Sequence, residues 1–225
     1  METKISAGYY SALSANDTAR DCEKDHCASQ EGILNTMSLN LKIIIGSTRP
    51  GRVGPTIAKW VETVATQHAK FNVELVDLAD FKLPLLDEAA HPAKQAYEHQ
   101  HTKDWSKAIG VADAFVFVTP EYDYFPPASL VNAVQTLSKE WGYKAAGVVC
   151  YGGISGGLRS SQALRQLLGN VNTHALPQVV PVPIFSQYIG EDGIFKPTDT
   201  MNSGLLNQFD ELHKWSVALK SLRAE

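Results

Sequence analysis

The chain has 225 residues, of which 44% are hydrophobic and 20% are charged, and its formal net charge is −4 at pH 7. This size and composition predict a single domain with a sizeable core, and the small acidic net charge argues against a protein that binds nucleic acid through a basic surface. No apolar run approaches the length of a transmembrane helix, and three cysteines are too few for a disulfide framework, which favours a reducing cytoplasm.

The first 36 residues have no hydrophobic periodicity. They contain six acidic and three basic residues, together with Cys22 and Cys27. We expect residues 1–36 to be a disordered leader and residues 37–225 to form the domain. The leader has no apolar segment of a secretory signal, and its many acids argue against a mitochondrial presequence. The two cysteines and the neighbouring His26 do not complete a four-ligand metal site, so no metal is predicted.

Apolar strand-like segments alternate with helical patterns in the rest of the chain. Strands are predicted at 41–45, 73–78, 114–119, 146–151 and 178–184, and helices at 55–69, 93–110, 128–140, 158–169 and 203–222. Continuous apolar strands that alternate with helices form a parallel sheet covered on both faces. The predicted fold class is therefore α/β, a flavodoxin-like three-layer α/β/α sandwich with strand order 2-1-3-4-5.

Two further features belong to the carboxyl-terminal part of the predicted sheet. Pro177, Pro181 and Pro183 cannot donate ladder hydrogen bonds, which places the fifth strand at an edge. Residues 186–201 are predicted to form a small excursion that turns at Asp192 and Gly193 before the final helix.

The loop after the first predicted strand has the features of a phosphate site. Free N–H groups at the start of the following helix, two hydroxyls and two arginines all favour an anion there. The triphosphate motif is absent because Arg52 stands where its lysine is needed, and the dinucleotide motif is absent because Thr48 replaces its second glycine. A phosphate monoester such as that of FMN fits better, with Arg49 expected deeper in the site than Arg52. The alternative is an ordinary connection whose arginines are merely solvated.

Two more unusual loops follow the third and fourth predicted strands, at the same edge of the sheet. The second loop, Pro120 to Pro127, has three aromatic residues and three prolines, which offer stiff apolar faces for a planar ring. The third, Tyr151 to Arg159, has four glycines within six residues, whose amides could approach a ligand closely. The alternatives are a turn that packs on its own helix and a flexible solvent loop.

The segment from about Leu39 to Pro183 resembles the NAD(P)H-dependent FMN reductase family, which includes quinone, azo-dye and chromate reductases of flavodoxin-like fold. The matching pieces are Gly46-Ser47-Thr48-Arg49, Pro120-Glu121-Tyr122-Asp123 with Leu130-Val131-Asn132-Ala133, and Tyr151-Gly152-Gly153 with Gly156-Gly157 and Arg159. The chain departs from the family pattern with Asp123 in place of an amide, Phe125 at a small-residue position and Val131 in place of a lysine.

The resemblance implies that the first loop holds the FMN phosphate, the second the ribityl chain and ring, and the third the pyrimidine edge. The cofactor-binding residues so predicted are Gly46, Ser47, Thr48, Arg49, Arg52, Val53, Gly54, Pro120, Glu121, Tyr122, Asp123, Tyr124, Tyr151, Gly152, Gly153, Ser155 and Gly156. It also implies a homodimer or homotetramer. From the cysteine count, the charge and the lack of a long apolar run, we expect a cytoplasmic protein without nucleic-acid or membrane partners.

The activity implied is a reductase that passes hydride from NADPH or NADH through FMN to a quinone, a free flavin or an azo compound. The flavin N5 atom carries the hydride, so no side chain is predicted to be catalytic, and Glu121 is expected to be a structural carboxylate. Arg159 is a further candidate for a phosphate or pyridine-nucleotide contact. Two other function classes remain as alternatives, a flavodoxin-like electron carrier and a redox-responsive binding module without turnover.

Overall fold

A computed structural model describes residues 38–223, so the predicted leader lies outside the described residues. Five parallel strands pair in the order β2-β1-β3-β4-β5. The strands are β1 (Leu39–Ile45), β2 (Phe71–Asp77), β3 (Ala114–Pro120), β4 (Ala145–Tyr151) and β5 (His174–Val182). The predicted fold class and strand order are confirmed.

Helices cover both faces of the sheet. They are α1 (Gly54–His68), α2 (Leu78–Phe81), α3 (Gln100–Gly110), α4 (Ala128–Gln135), α5 (Leu158–Asn170) and α6 (Asp199–Lys220). Short 3-10 turns occupy Pro92–Lys94, Lys139–Trp141, Phe185–Tyr188 and Ser221–Arg223. Among residues 38–223, none of the helices combines the length and apolar character needed to cross a membrane.

Two hydrophobic clusters, one on each face, hold the layers together. Ile43 belongs to the cluster under α1 and α6, whereas Ile44 belongs to the cluster that contains Trp105 and Trp141 under α3, α4 and α5. Successive side chains of a strand point to opposite faces, so the continuous apolar sequence of β1 supplies both cores. Burial on both faces holds the strands in position. The three loops predicted to form the site begin where β1, β3 and β4 end.

The prediction of one helix over 93–110 is wrong. The structure has the 3-10 turn Pro92–Lys94 and then α3, which starts at Gln100. Gln95 takes a left-handed φ of 53°, and the Glu140 carboxylate accepts hydrogen bonds from Gln95 Nε2 (3.1 Å) and Tyr97 Oη (2.9 Å). These tertiary bonds hold the segment between the two elements in a non-helical path.

Further boundaries differ from the prediction, and the final helix starts at Asp199, four residues earlier than expected. The helix predicted over 128–140 ends at Gln135 and is followed by the separate 3-10 turn Lys139–Trp141. The fifth strand begins at His174, four residues earlier than predicted, and ends at Val182 because Ile184 has a left-handed φ of 46°. The excursion after β5 is confirmed, since Ile189 and Phe195 form an antiparallel bridge.

Candidate cofactor site at the carboxyl edge of the sheet

The loops that follow β1, β3 and β4 meet at one edge, where they enclose a cavity of about 330 Å³. This volume is within the range of small-molecule sites. The cavity is lined by Arg49, Pro50, Gly51, Arg52, Val53, Pro120, Glu121, Tyr122, Tyr151, Gly152, Gly153 and Phe185. The structure therefore brings together residues from all three predicted loops.

Buried packing fixes the first loop against the second. The Ser47 side chain is fully buried, and its Oγ lies 2.9 Å from the Tyr122 Oη. A Cβ on Gly46 would lie 2.8 Å from Leu130 Cδ2, so this position needs a glycine for close packing. Gly46 and Ser47 therefore shape the site from beneath.

The start of α1 carries no protein anion. Its first turn has no acidic residue, and the preceding Val53 makes no side-chain capping bond. The first N–H groups of a helix lack intrahelical acceptors and carry the positive end of the helix dipole. Because Val53 lines the cavity, this helix start is available to an anionic group of a ligand.

The two loop arginines have different environments. Arg52 Nη2 lies 2.5 Å from Asp77 Oδ2, and only 21% of the Arg52 side chain is exposed. Arg49 is exposed, its guanidinium carbon lies 5.9 Å from the Tyr122 ring centroid, and no described carboxylate pairs with it. The expectation that Arg49 lies deeper than Arg52 is wrong, because Asp77 at the end of β2 draws Arg52 inward.

Two buried polar atoms that belong to cavity-lining residues have no partner among the residues described. They are Arg52 Nε and the Tyr151 hydroxyl. Burial raises the pKa of Tyr151, so this hydroxyl keeps its proton and is a donor at neutral pH. A Cβ on Gly54 would lie 3.1 Å from Tyr151 Oη, which places the hydroxyl beside the start of α1. A ligand oxygen here would satisfy donors that are otherwise costly to bury.

Glu121 joins the second loop to the third. Its side chain is 7% exposed, and it accepts hydrogen bonds from Ser155 Oγ (2.9 Å), Arg159 N (3.1 Å) and Arg159 Nε (2.8 Å). Burial alone would raise the pKa of Glu121, but bonds from Ser155, Ser160 and Arg159 bring it below its ordinary value. The carboxylate is ionised and caps α5, which supports the expectation of a structural role.

Asp123 and Tyr124 form the tip of the second loop and do not line the cavity. Tyr122 and Phe125 exchange two backbone hydrogen bonds of 2.9 Å, and the φ angles of Asp123 and Tyr124 are 47° and 77°. Positive φ at both central positions defines a type I′ turn, in which Asp is a favoured residue. The departure from the family pattern at Asp123 is thus compatible with the local backbone.

The third loop contains glycines with two different roles. Gly156 and Gly157 have φ angles of 61° and 87°, and a Cβ on Gly157 would lie 2.6 Å from Tyr151 N. These two positions require glycine for the fold. Gly153, by contrast, lines the cavity, and a Cβ there would meet no atom within 4 Å. The absence of a side chain at Gly153 leaves space that a ligand can use.

Several predicted residues lie outside the cavity wall, and others were missed. Thr48 instead lines a neighbouring cavity of about 210 Å³, beside Lys82 and Ser129, while Ser155 acts through Glu121. The cavity wall also contains three residues that were not predicted from the sequence, Pro50, Gly51 and Phe185. The position of Phe185 directly after the fifth strand was the available signal, because that strand ends at the same edge.

A model of the NADPH-dependent FMN reductase family matches residues 39–187. An NAD(P)H-dependent FMN reductase from Schizosaccharomyces pombe is 41% identical over 137 residues, which cover 60% of this chain and 68% of that protein. A quinone reductase from Escherichia coli is 31% identical over 144 residues, which cover 59% of this chain and 71% of that protein. The fold is shared with the solved structure of FerB, a flavoenzyme NAD(P)H:(acceptor) oxidoreductase from Paracoccus denitrificans, at a TM-score of 0.60. The two sequences are 19% identical, and the match covers 80% of this chain and 98% of that one. Because the family model spans more than half of the sequence, this chain belongs to the NADPH-dependent FMN reductase family.

Proposed function

We propose that the protein is an NAD(P)H-dependent reductase that contains FMN and passes hydride from a nicotinamide through FMN to a quinone, a free flavin or an azo-type acceptor. The observation that carries this proposal is the pair of unpartnered buried donors, Arg52 Nε and Tyr151 Oη, in a cavity at the start of α1. Family membership and the similarity to FMN and quinone reductases support the same activity.

The donors fit the phosphate end of FMN. A phosphate monoester carries oxygens that accept from Arg52, from the Tyr151 hydroxyl and from the N–H groups that begin α1. Asp77 neutralises part of the Arg52 charge, and Arg49 at the rim adds a second cation that no described carboxylate neutralises. The FMN phosphate would therefore place its negative charge beside Arg52 and Arg49.

The other end of the cavity fits a planar ring. Gly153 leaves room for close approach, while Pro120, Tyr122 and Phe185 supply apolar wall. When bound, FMN supplies the ring that takes up hydride and returns two electrons to the acceptor. The chain contributes position and electrostatics, since the one cavity-lining carboxylate, Glu121, is occupied by its hydrogen bonds.

The test combines a spectrum with a turnover assay. We expect the purified protein to show flavin absorbance near about 450 nm and to oxidise NADPH or NADH faster when a quinone, a free flavin or an azo compound is added. Flavin absorbance without turnover would favour an electron carrier or a redox-responsive binding module. The absence of flavin binding after incubation with FMN would refute the proposal.

A thermal melt with two flavins tests the phosphate end separately. Saturation at about 100 times Kd stabilises a folded protein by roughly 2.7 kcal/mol, so FMN should raise the melting temperature. Riboflavin at the same concentration lacks the phosphate and should raise it less. Equal shifts with FMN and riboflavin would show that the wall around Arg52 and Tyr151 does not bind a phosphate.

We further propose that the protein is cytoplasmic and assembles as a homodimer or homotetramer. Large exposed apolar side chains support an assembly, among them Val111 and Leu85, which is 79% exposed. Sedimentation velocity over a range of protein concentrations tests this, and a concentration-independent monomer would contradict it.

A further inference from the structure

Tyr124 combines backbone strain with an exposed ring beside the cavity. Its φ of 77° lies in the left-handed region, which is unfavourable for a residue with a Cβ. The side chain is nevertheless large, and the residue is 60% exposed. A glycine would satisfy the same turn without strain, so the turn alone does not account for a tyrosine here.

The Tyr124 ring is held by Arg159. The guanidinium carbon of Arg159 lies 3.8 Å from the ring centroid, which is stacking contact. Arg159 Nε and Nη2 both lie 2.8 Å from Glu121 Oε1, and Glu121 lines the cavity. Only a single side chain therefore separates the stacked pair from the cavity.

Part of this pair remains available to a ligand. One face of the ring contacts Arg159, and the exposure of the residue leaves ring surface in contact with solvent. Arg159 Nη1 has no hydrogen-bond partner among residues 38–223, and 46% of the side chain is exposed. The Glu121 carboxylate also accepts hydrogen bonds from the N–H groups that begin α5. It therefore neutralises the Arg159 charge only in part.

We propose that Tyr124 and Arg159 form an acceptor-recognition pair, which selects planar aromatic electron acceptors that carry an anionic substituent. The acceptor ring stacks on the outer part of the Tyr124 ring, and its anionic group accepts a hydrogen bond from Arg159 Nη1. The exposed apolar side chains of Phe125 and Ile154 belong to the same two loops and extend the contact surface. This inference rests on the proposed reductase function and names the acceptor class for the same site.

The experiment compares two naphthoquinones that differ in one charge. The probes are 1,4-naphthoquinone-2-sulfonate and neutral 1,4-naphthoquinone, tested with the FMN-loaded protein. Tyr124→Gly should raise KM for both quinones by about tenfold, the equivalent of one good aromatic contact, and Tyr124→Phe should restore it. Arg159→Gln keeps one donor for Glu121 and should raise KM for the sulfonate more than for the neutral quinone, which loses only the support of the Tyr124 ring.

Tyr143 offers a matched control. It is also an exposed tyrosine with a left-handed φ, 55°, but it precedes β4 at the opposite edge of the sheet. Tyr143→Gly therefore also relieves backbone strain and removes an exposed ring, but it does so away from the cavity. KM for both quinones should stay unchanged. The melting temperature of Tyr124→Gly should not fall, because relief of the backbone strain offsets the lost contact between the ring and Arg159. If Tyr124 had only a structural role, the variant would have a lower melting temperature and an unchanged KM.

Calorimetric titration of the oxidised protein with the sulfonate separates this inference from the proposed function. Weaker binding in Tyr124→Gly supports the recognition pair even if the wild type shows no quinone-dependent turnover, a result that would overturn only the proposed function. Normal turnover with unchanged sulfonate binding in both Tyr124→Gly and Arg159→Gln would overturn the recognition pair. A rise in KM for NADPH instead of the quinones would overturn it as well.

Discussion

The ion pair between Arg52 and Asp77 predicts that removing Arg52 weakens FMN binding more than removing Asp77. Arg52→Ala removes a phosphate donor and leaves the Asp77 carboxylate unpaired beside the cavity. Loss of a charge-assisted hydrogen bond costs about 1.5–3 kcal/mol, which is roughly a ten- to hundredfold weaker affinity. Asp77→Ala frees the Arg52 charge but also removes the contact that holds this side chain inward, so the affinity should fall less than in Arg52→Ala.

The double variant isolates the effect of the unpaired carboxylate. Arg52→Ala with Asp77→Ala should bind FMN more tightly than Arg52→Ala alone, because no negative charge then faces the phosphate. Asp77 also accepts a hydrogen bond from Ala79 N at the start of α2, so its removal should lower the free energy of unfolding by about 1 kcal/mol. Arg49→Ala, at the exposed rim, should weaken binding less than Arg52→Ala.

The assay is quenching of FMN fluorescence on titration with each apoprotein, at two salt concentrations. Wild-type affinity in Arg52→Ala would refute the assignment of Arg52 to the phosphate. A double variant that binds more weakly than Arg52→Ala would refute the role given to Asp77. Either result would move the phosphate to another part of the cavity wall.

Three further predictions concern glycines, acid stability and kinetics. Gly157→Ala should lower the free energy of unfolding by about 2–4 kcal/mol in a denaturant titration, because its Cβ would lie 2.6 Å from a backbone atom. Gly153→Ala should change the free energy of unfolding by no more than about 0.5 kcal/mol and should weaken FMN binding. Burial alone would raise the pKa of Glu140, but hydrogen bonds, the largest from Ser106, lower it below its ordinary value. Its stabilisation is therefore complete above the unfolded-state pKa and is lost as the pH falls through the folded one, so urea midpoints of wild type and Glu140→Gln should converge as the pH falls below the ordinary value of 4.5. We expect nicotinamide and acceptor to use one site in turn, so double-reciprocal plots at several quinone concentrations should be parallel, and intersecting plots would contradict a shared site.

The sequence predicted those parts of the fold that depend on local pattern. The strands were placed well because β1, β3 and β4 are continuous apolar segments, and only a sheet covered on both faces buries such segments. The break between Pro92–Lys94 and α3 was not predictable, since it depends on Glu140, more than forty residues away along the chain. The amphipathic pattern of residues 93–110 gives no sign of those distant bonds.

The same distinction holds at the site. The three loops were predictable because the carboxyl ends of neighbouring parallel strands meet at one edge. The inward position of Arg52 was not, because it depends on Asp77, which the β1–β2 pairing brings to the same edge as the first loop. Phe185 was missed for a similar reason, since it enters the cavity wall only through the position of β5.

The loops divide their polar and glycine residues between folding and ligand contact. Glu121 makes its hydrogen bonds within the protein, and Gly157 is required by the backbone itself, so both are explained without a ligand. Arg52 Nε, the Tyr151 hydroxyl and the open space at Gly153 have no such explanation within the described residues. A buried donor without an acceptor costs stability, and that cost is recovered only when a ligand supplies the acceptor. We therefore propose that the unsatisfied donors of Arg52 and Tyr151 mark the phosphate end of the site, and that the open volume at Gly153 marks the ring end.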